Sequence, residues 1–236
     1  MKSMKRSMAF ASTFVALATM LAITSSAAAV KPSQTDLSNI SWRVFNIDTS
    51  VPKLWDINRA EALSPDGVQF PFYTSTGQPW DGTGWFTAYL KINYSGDLTG
   101  KTITALVDVV ATTGTQFWTR STACDNTGDD AYVRLEFQSA TGNYDASDYW
   151  WCTTSLNLSD LANSGPTTLS CSTTDPALWT NIDGVSGSAD PDGFAAALEN
   201  VNEIGVAFGS ACRYASGVNV SGGTASFELL SYTVTP

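Results

Sequence analysis

The run Ala131-Tyr132-Val133-Arg134-Leu135-Glu136-Phe137-Gln138 decides the fold, because its side chains divide by parity. Ala131, Val133, Leu135 and Phe137 form an apolar set, and Tyr132, Arg134, Glu136 and Gln138 a polar and aromatic one. Successive side chains of a β-strand point to opposite faces, so this is a strand with one side in a core. The other side lines up a ring, a guanidinium, a carboxylate and an amide. Those residue types can hold a neutral, hydroxyl-rich ligand. They equally suit a solvated outer face with cross-strand ion pairs, and the run alone leaves both readings open.

The alternation continues outward in both directions. Trp85 to Ile92 sets Phe86, Ala88, Leu90 and Ile92 against Trp85, Thr87, Tyr89 and Lys91. Thr102 to Val110 sets Ile103, Ala105, Val107 and Val109 against Thr104, Leu106 and Asp108. Thr115 to Ser121 sets Phe117 and Thr119 against Gln116, Trp118 and Arg120. Tyr149 to Ser155 places adjacent Trp150 and Trp151 on opposite faces, so at least one belongs to the core. Ser41 to Ile47, Thr167 to Ser172, Glu203 to Phe208 and Thr224 to Val234 also read as strands, and Leu156 to Leu161 as a short edge. Trp55 to Leu63 reads as a helical turn and Gly217 to Gly223 as a loop. Asp190-Pro191-Asp192-Gly193 opens a short helix near 191–201, with Asp190 as cap and Pro191 in first position. Many short strands between turn signals predict an all-β antiparallel sandwich with that one short helix.

Lys2, Lys5 and Arg6, the apolar stretch Ala9 to Ile23 and the small residues Ala27 to Ala29 form a secretory signal peptide over residues 1–29. Residues 30–236 are expected to form one domain, with 30–84 as an irregular N-terminal part. The leader takes three of the 12 basic residues and none of the 22 acidic ones, which leaves the mature chain at a net charge of −13. That opposes binding to nucleic acid or an anionic membrane surface. No other stretch is long and apolar enough to span a bilayer, so the expected location is extracellular or periplasmic.

All four cysteines, Cys124, Cys152, Cys171 and Cys212, follow the leader, and two disulfides are expected. Three pairings are open, and Cys124–Cys152 with Cys171–Cys212 is the favoured one. The chain has no histidine, so triads and zinc sites that need one are excluded. Four Asn-x-Ser sequons stand at Asn39, Asn93, Asn157 and Asn219.

In the C-terminal half, Leu156-Asn157-Leu158-Ser159-Asp160-Leu161 precedes a Trp179 segment and Asp192-Gly193-Phe194. Val201-Asn202-Glu203-Ile204-Gly205-Val206-Ala207-Phe208-Gly209 follows, and Gly223-Thr224-Ala225-Ser226-Phe227-Glu228-Leu229 opens the last strand. This order resembles galactose-binding-like β-jelly-rolls, including carbohydrate-binding modules, over roughly residues 85–236. The resemblance implies a jelly-roll sandwich and a carbohydrate partner without catalysis. Structural calcium is the other family-like reading of the loop in which Asp125, Asp129 and Asp130 gather oxygen ligands, against a solvated acidic turn, which the loop's composition favours. No other cofactor is required, and the oligomeric state is left open.

The candidate ligand-binding residues are Tyr89, Asp108, Trp118, Arg120, Tyr132, Arg134, Glu136, Gln138, Tyr149 and Trp151. Aromatic rings stack on the apolar faces of sugars, and the polar heads pair their hydroxyls. Trp80 and Trp179, in loop contexts, could touch a ligand or cover the core. The alternatives are a structural or adhesive sandwich, and a carboxylate-dependent glycoside hydrolase or lyase with Glu136 and Asp108 as its pair.

Overall fold

In the computed structural model, described for residues 35–36, 42–48, 55–59, 62–64, 67–75, 84–120, 130–139, 145–212 and 214–236, alternating sequence becomes two antiparallel sheets. The described residues all fall within the compact unit Pro32–Pro236. The expected leader, Trp80, Asn39, Cys124, Asp125 and Asp129 lie outside the described residues.

The smaller sheet contains β1 (Thr35–Asp36), β4 (Ala62–Ser64), β5 (Gly67–Pro71), β7 (Thr102–Ala111), β11 (Thr167–Ser172) and β15 (Ala225–Thr235). The larger one contains β2 (Arg43–Asp48), β3 (Trp55–Arg59), β6 (Trp85–Gly96), β8 (Gln116–Thr119), β9 (Tyr132–Ser139), β10 (Tyr149–Asn157), β12 (Trp179–Asn181), β13 (Val201–Gly209) and β14 (Val218–Ser221). The smaller sheet runs β11-β7-β15-β5-β4, with β1 also on β15. The larger runs β12-β10-β9-β13-β6-β14-β8, with β2 on β6 and β3 on β2.

One face of each sheet makes the main core. Ile103, Ala105, Val107 and Val109 of β7 meet Val133, Leu135 and Phe137 of β9 and Ile204, Val206 and Phe208 of β13 there. Trp150 and Trp179 are fully buried. Trp179 is a core residue of β12, packed 5.0 Å from the Phe137 ring, not a loop tryptophan. Its indole Nε1 donates to Ser172 O at 2.9 Å, so the ring is buried without an orphaned donor. Helix α2 (Pro191–Glu199) begins as its sequence predicts, with Asp190 accepting from Gly193 N.

Several expectations fail for identifiable reasons. Trp55 to Leu63 forms β3 and β4 instead of a helical turn. Leu156 to Leu161 ends β10 and turns into the short helix α1 (Leu158–Leu161), capped by Asn157, instead of forming an edge. Val218–Ser221 is a strand where a loop was expected, since pairing with β8 outweighs its flanking glycines. Cys152 pairs with Cys171, which overturns the favoured pairing. That bond joins β10 of one sheet to β11 of the other, a juxtaposition created by stacking. Cys212 is also disulfide-bonded.

The pairing of β2 with β6 slips between Phe45 and Asn46, from Phe45↔Tyr89 to Asn46↔Thr87. Such a bulge resets which side chains face the core. Ala88, expected inside, accordingly packs with Tyr89 in a separate cluster on the sheet's other face.

Candidate functional site

The face of the larger sheet turned away from the main core carries most of the candidate residues. Strand pairing places them in rows. Trp151, Glu136, Gly205, Lys91 and Arg43 lie directly opposite one another across β10, β9, β13, β6 and β2. On one side runs the row Ser155, Arg134, Ala207, Tyr89 and Phe45, and on the other Tyr149, Gln138, Glu203 and Asn93. The middle strand contributes only small side chains at Gly205 and Ala207. A Cβ at Gly205 would stand 2.1 Å from Leu90 O, so the backbone there tolerates no side chain. This leaves a low floor between taller aromatic sides.

The face is covered, contrary to the expectation of an exposed strand surface. Glu136 is 0% exposed, Arg134 and Trp151 2% each. Trp151, Tyr89, Ala88 and Ala207 form a second apolar cluster, joined by half-buried Phe45, Ile47, Tyr149, Tyr214 and Ala215. Tyr214 and Ala215 come from the β13–β14 connection. Tyr214 lies 5.9 Å from the Trp151 ring, and the Arg134 guanidinium sits 4.1 Å over its ring. Arg134 Nη1 also donates to Ser210 O of the same connection at 3.1 Å. Tyr149 stacks on Trp151 at 6.3 Å. Half-buried Tyr132, Tyr149 and Tyr214 stand beside the low floor at Gly205 and Ala207, a shallow recess in the face that Tyr214 and Ala215 cover.

Glu203 links the basic groups, accepting from Arg43 at 2.6 Å and from Lys91 at 2.9 Å. The Lys91 ammonium rests 4.4 Å from the Tyr89 ring centre and 4.6 Å from that of Phe45, a cation–π arrangement that tolerates its burial. Burial pushes the Glu136 carboxyl up to about 7, against the pull of Lys91 and the hydrogen bond from Gln138. The Tyr89 phenol is raised well above its ordinary value, first by burial and then by Glu136. Burial lowers the Arg134 guanidinium to about 10.

Three neighbouring polar atoms in this recess have no hydrogen-bond partner among the described residues: Glu136 Oε1, Arg134 Nε and Trp151 Nε1. Glu136 uses only Oε2, which accepts from Gln138 Nε2 at 3.1 Å.

The other candidates lie elsewhere. Asp108 is on β7 of the smaller sheet, opposite Glu228, with its carboxylate on Val109 N. The main core separates it from Glu136, and sheets stack about 10 Å apart before side-chain length is added. Each carboxyl belongs to an outer face, so they do not form a catalytic pair. Trp118 lies on β8 and donates to Ser221 Oγ at 2.8 Å, and exposed Arg120 follows it; neither joins the aromatic cluster. Asp130 is exposed, with Tyr132 Oη at 3.5 Å. Among the described residues no acidic, histidine or cysteine cluster is suited to a metal. No helix among them is long and apolar enough to cross a membrane. Of the sequons, Asn157 caps α1 and Asn219 is 1% exposed.

Sequence reasoning missed Tyr214, Glu203, Arg43 and Phe45 as members of this site. Tyr214 has no periodic context, and only its place between Cys212 and the β14 strand marks it as tied to the sheet.

No family model matches this chain, and no curated protein matches it. Among solved structures, a point variant of Xylanase10C from Cellvibrio japonicus in complex with xylopentaose is similar to it at 16% identity and a TM-score of 0.39. The likeness takes in 86% of this chain and 28% of that one. Neither activity nor ligand is transferred at that level.

Proposed function

We propose that this is a secreted, non-catalytic carbohydrate-binding protein whose recess on the larger sheet holds part of a glycan. The observation that carries the reading is the trio of unpartnered buried polar atoms among aromatic rings. Buried polar atoms are nearly always paired, and a sugar offers hydroxyls for them and apolar faces for the rings. The order of elements in the C-terminal half, similar to galactose-binding-like jelly-rolls, supports the same reading. Export rests on the leader pattern of residues 1–29, with which the disulfides agree. The covered recess favours a chain end or branch over the flat face of a polymer.

The same covering favours a second reading, a structural or adhesive sandwich in which the outer cluster is merely a small second core. Depletion of the exported chain from solution by a panel of insoluble polysaccharides separates the two. Binding selective for one polymer, weakened at least fivefold by Tyr149→Ala or Tyr132→Ala at the rim without loss of the folded state, is the expected result. Indifference to every polymer would transfer the assignment to the scaffold.

A further inference from the structure

We propose that the recess takes a neutral vicinal diol, one hydroxyl donating to Glu136 Oε1 while diol oxygens accept from Arg134 Nε and Trp151 Nε1. This rests on the carbohydrate reading above and specifies the ligand group. The geometry supplies one acceptor flanked by two donors. Trp151 stands directly opposite Glu136 on β10, and Arg134 is two residues along the same face of β9. A directly opposed pair has Cβ atoms about 5 Å apart, and next-neighbours on one face about 7 Å, so one small group can reach all three. Each of the three side chains is more than nine-tenths buried, and each atom lacks a partner among the described residues.

Charge argues for a neutral ligand. A carboxylate on the ligand would meet Glu136, with Glu203 one row away, whereas a cation would meet Arg134 and Lys91. Arg43 and Lys91 are already engaged by Glu203. A diol brings both donor and acceptor and asks for no net charge.

A proton linkage follows. A hydroxyl donates more strongly to a carboxylate than to a neutral carboxyl. The groups facing Glu136 are Arg134 and Gln138 on its own strand, Tyr149 and Trp151 on β10, Glu203 on β13, and Tyr89 and Lys91 on β6, while Tyr232 in the main core behind the sheet feels its charge. With the Glu136 carboxyl at about 7 in the free protein, binding draws it towards ionisation and releases a proton near neutrality. Affinity therefore rises with pH between 6 and 8, by about tenfold when only the ionised form binds.

Titration calorimetry on the exported chain tests this with cellotriose, xylotriose, mannotriose and the anionic trigalacturonate as probes. Measurements at pH 6, 7 and 8, in two buffers of different ionisation enthalpy, count the protons. The expected result is binding of a neutral trisaccharide with about half a proton released at pH 7. Glu136→Gln should abolish both the proton release and the pH dependence. Trp151→Phe, which keeps a ring and removes the donor, should weaken binding about tenfold and leave the proton count intact. Binding of a neutral trisaccharide without proton release, or unchanged in both variants, overturns the diol site while leaving the carbohydrate reading standing. Preference for trigalacturonate overturns it likewise. No binding of any probe at any pH removes both.

Discussion

Glu136 shows how a single residue can report on the whole outer face. Its carboxyl rises from an ordinary 4.5 to about 7 because burial penalises the ion more than Lys91 and Gln138 compensate. The folded protein therefore holds this proton over a pH range where the unfolded chain has lost it. Stability from this group is fully present below about pH 4.5 and is lost as pH rises through 7. The difference amounts to about 3 kcal/mol, at 1.36 kcal/mol per unit. Glu136→Gln, which keeps the shape and can still accept from Gln138, should gain on the wild type by about that amount at pH 8 and by little at pH 4.5. Urea unfolding of both proteins at the two pH values measures it. An equal gap at both would mean the carboxyl is not desolvated in the folded state.

At the scale of elements, period-two alternation was a sound guide wherever neighbouring strands continue it. The runs in β7, β9 and β13 put their apolar residues in the core as read. It failed in β6, where a bulge of one residue moved Ala88 to the other face. It also failed at β14, whose four residues are too few to show a period and acquire strand form from β8 and β6. Helix α2 was legible because its start signals are local: Asp190 accepts from Gly193 N at 3.1 Å and Pro191 follows. Asp190→Ala should cost about 1 kcal/mol through the lost cap. Gly193→Ala makes the sharper test. Alanine has the better helix propensity by about 1 kcal/mol, yet its Cβ would stand 2.2 Å from Asp190 Oδ2. The clash should displace the cap, so gain and loss about cancel and thermal unfolding of the variant should stay close to that of the wild type. A stabilised Gly193→Ala protein would show that the cap contributes little.

At the scale of the whole molecule, the candidate residues of β9 and β10 could be placed on one face from sequence, but their burial could not. Covering depends on Tyr214, 80 positions beyond Arg134 in the chain and without a pattern of its own. The Glu136–Asp108 pairing failed for the same reason, since which outer face belongs to which sheet is decided by strand order. The disulfide is the clearest case. Cys152 and Cys171 come together because β10 of the larger sheet and β11 of the smaller meet at one side of the sandwich. With a sequence separation of 19, closing that loop removes about 3 kcal/mol of chain entropy from the unfolded state. The two sheets share a large apolar core that does not depend on the bond, so its loss should lower stability without changing the fold. A Cys152→Ala, Cys171→Ala double variant is expected to keep its native circular dichroism and to unfold with about 3 kcal/mol less free energy. Its denaturant slope should be steeper, because the freed chain exposes more surface. Cys212 keeps its own disulfide in that variant, so the difference from the oxidised wild type isolates the inter-sheet bond. Loss of native structure would instead make the bond a condition of sheet stacking, and a loss below about 1 kcal/mol would leave the stacking to the core alone.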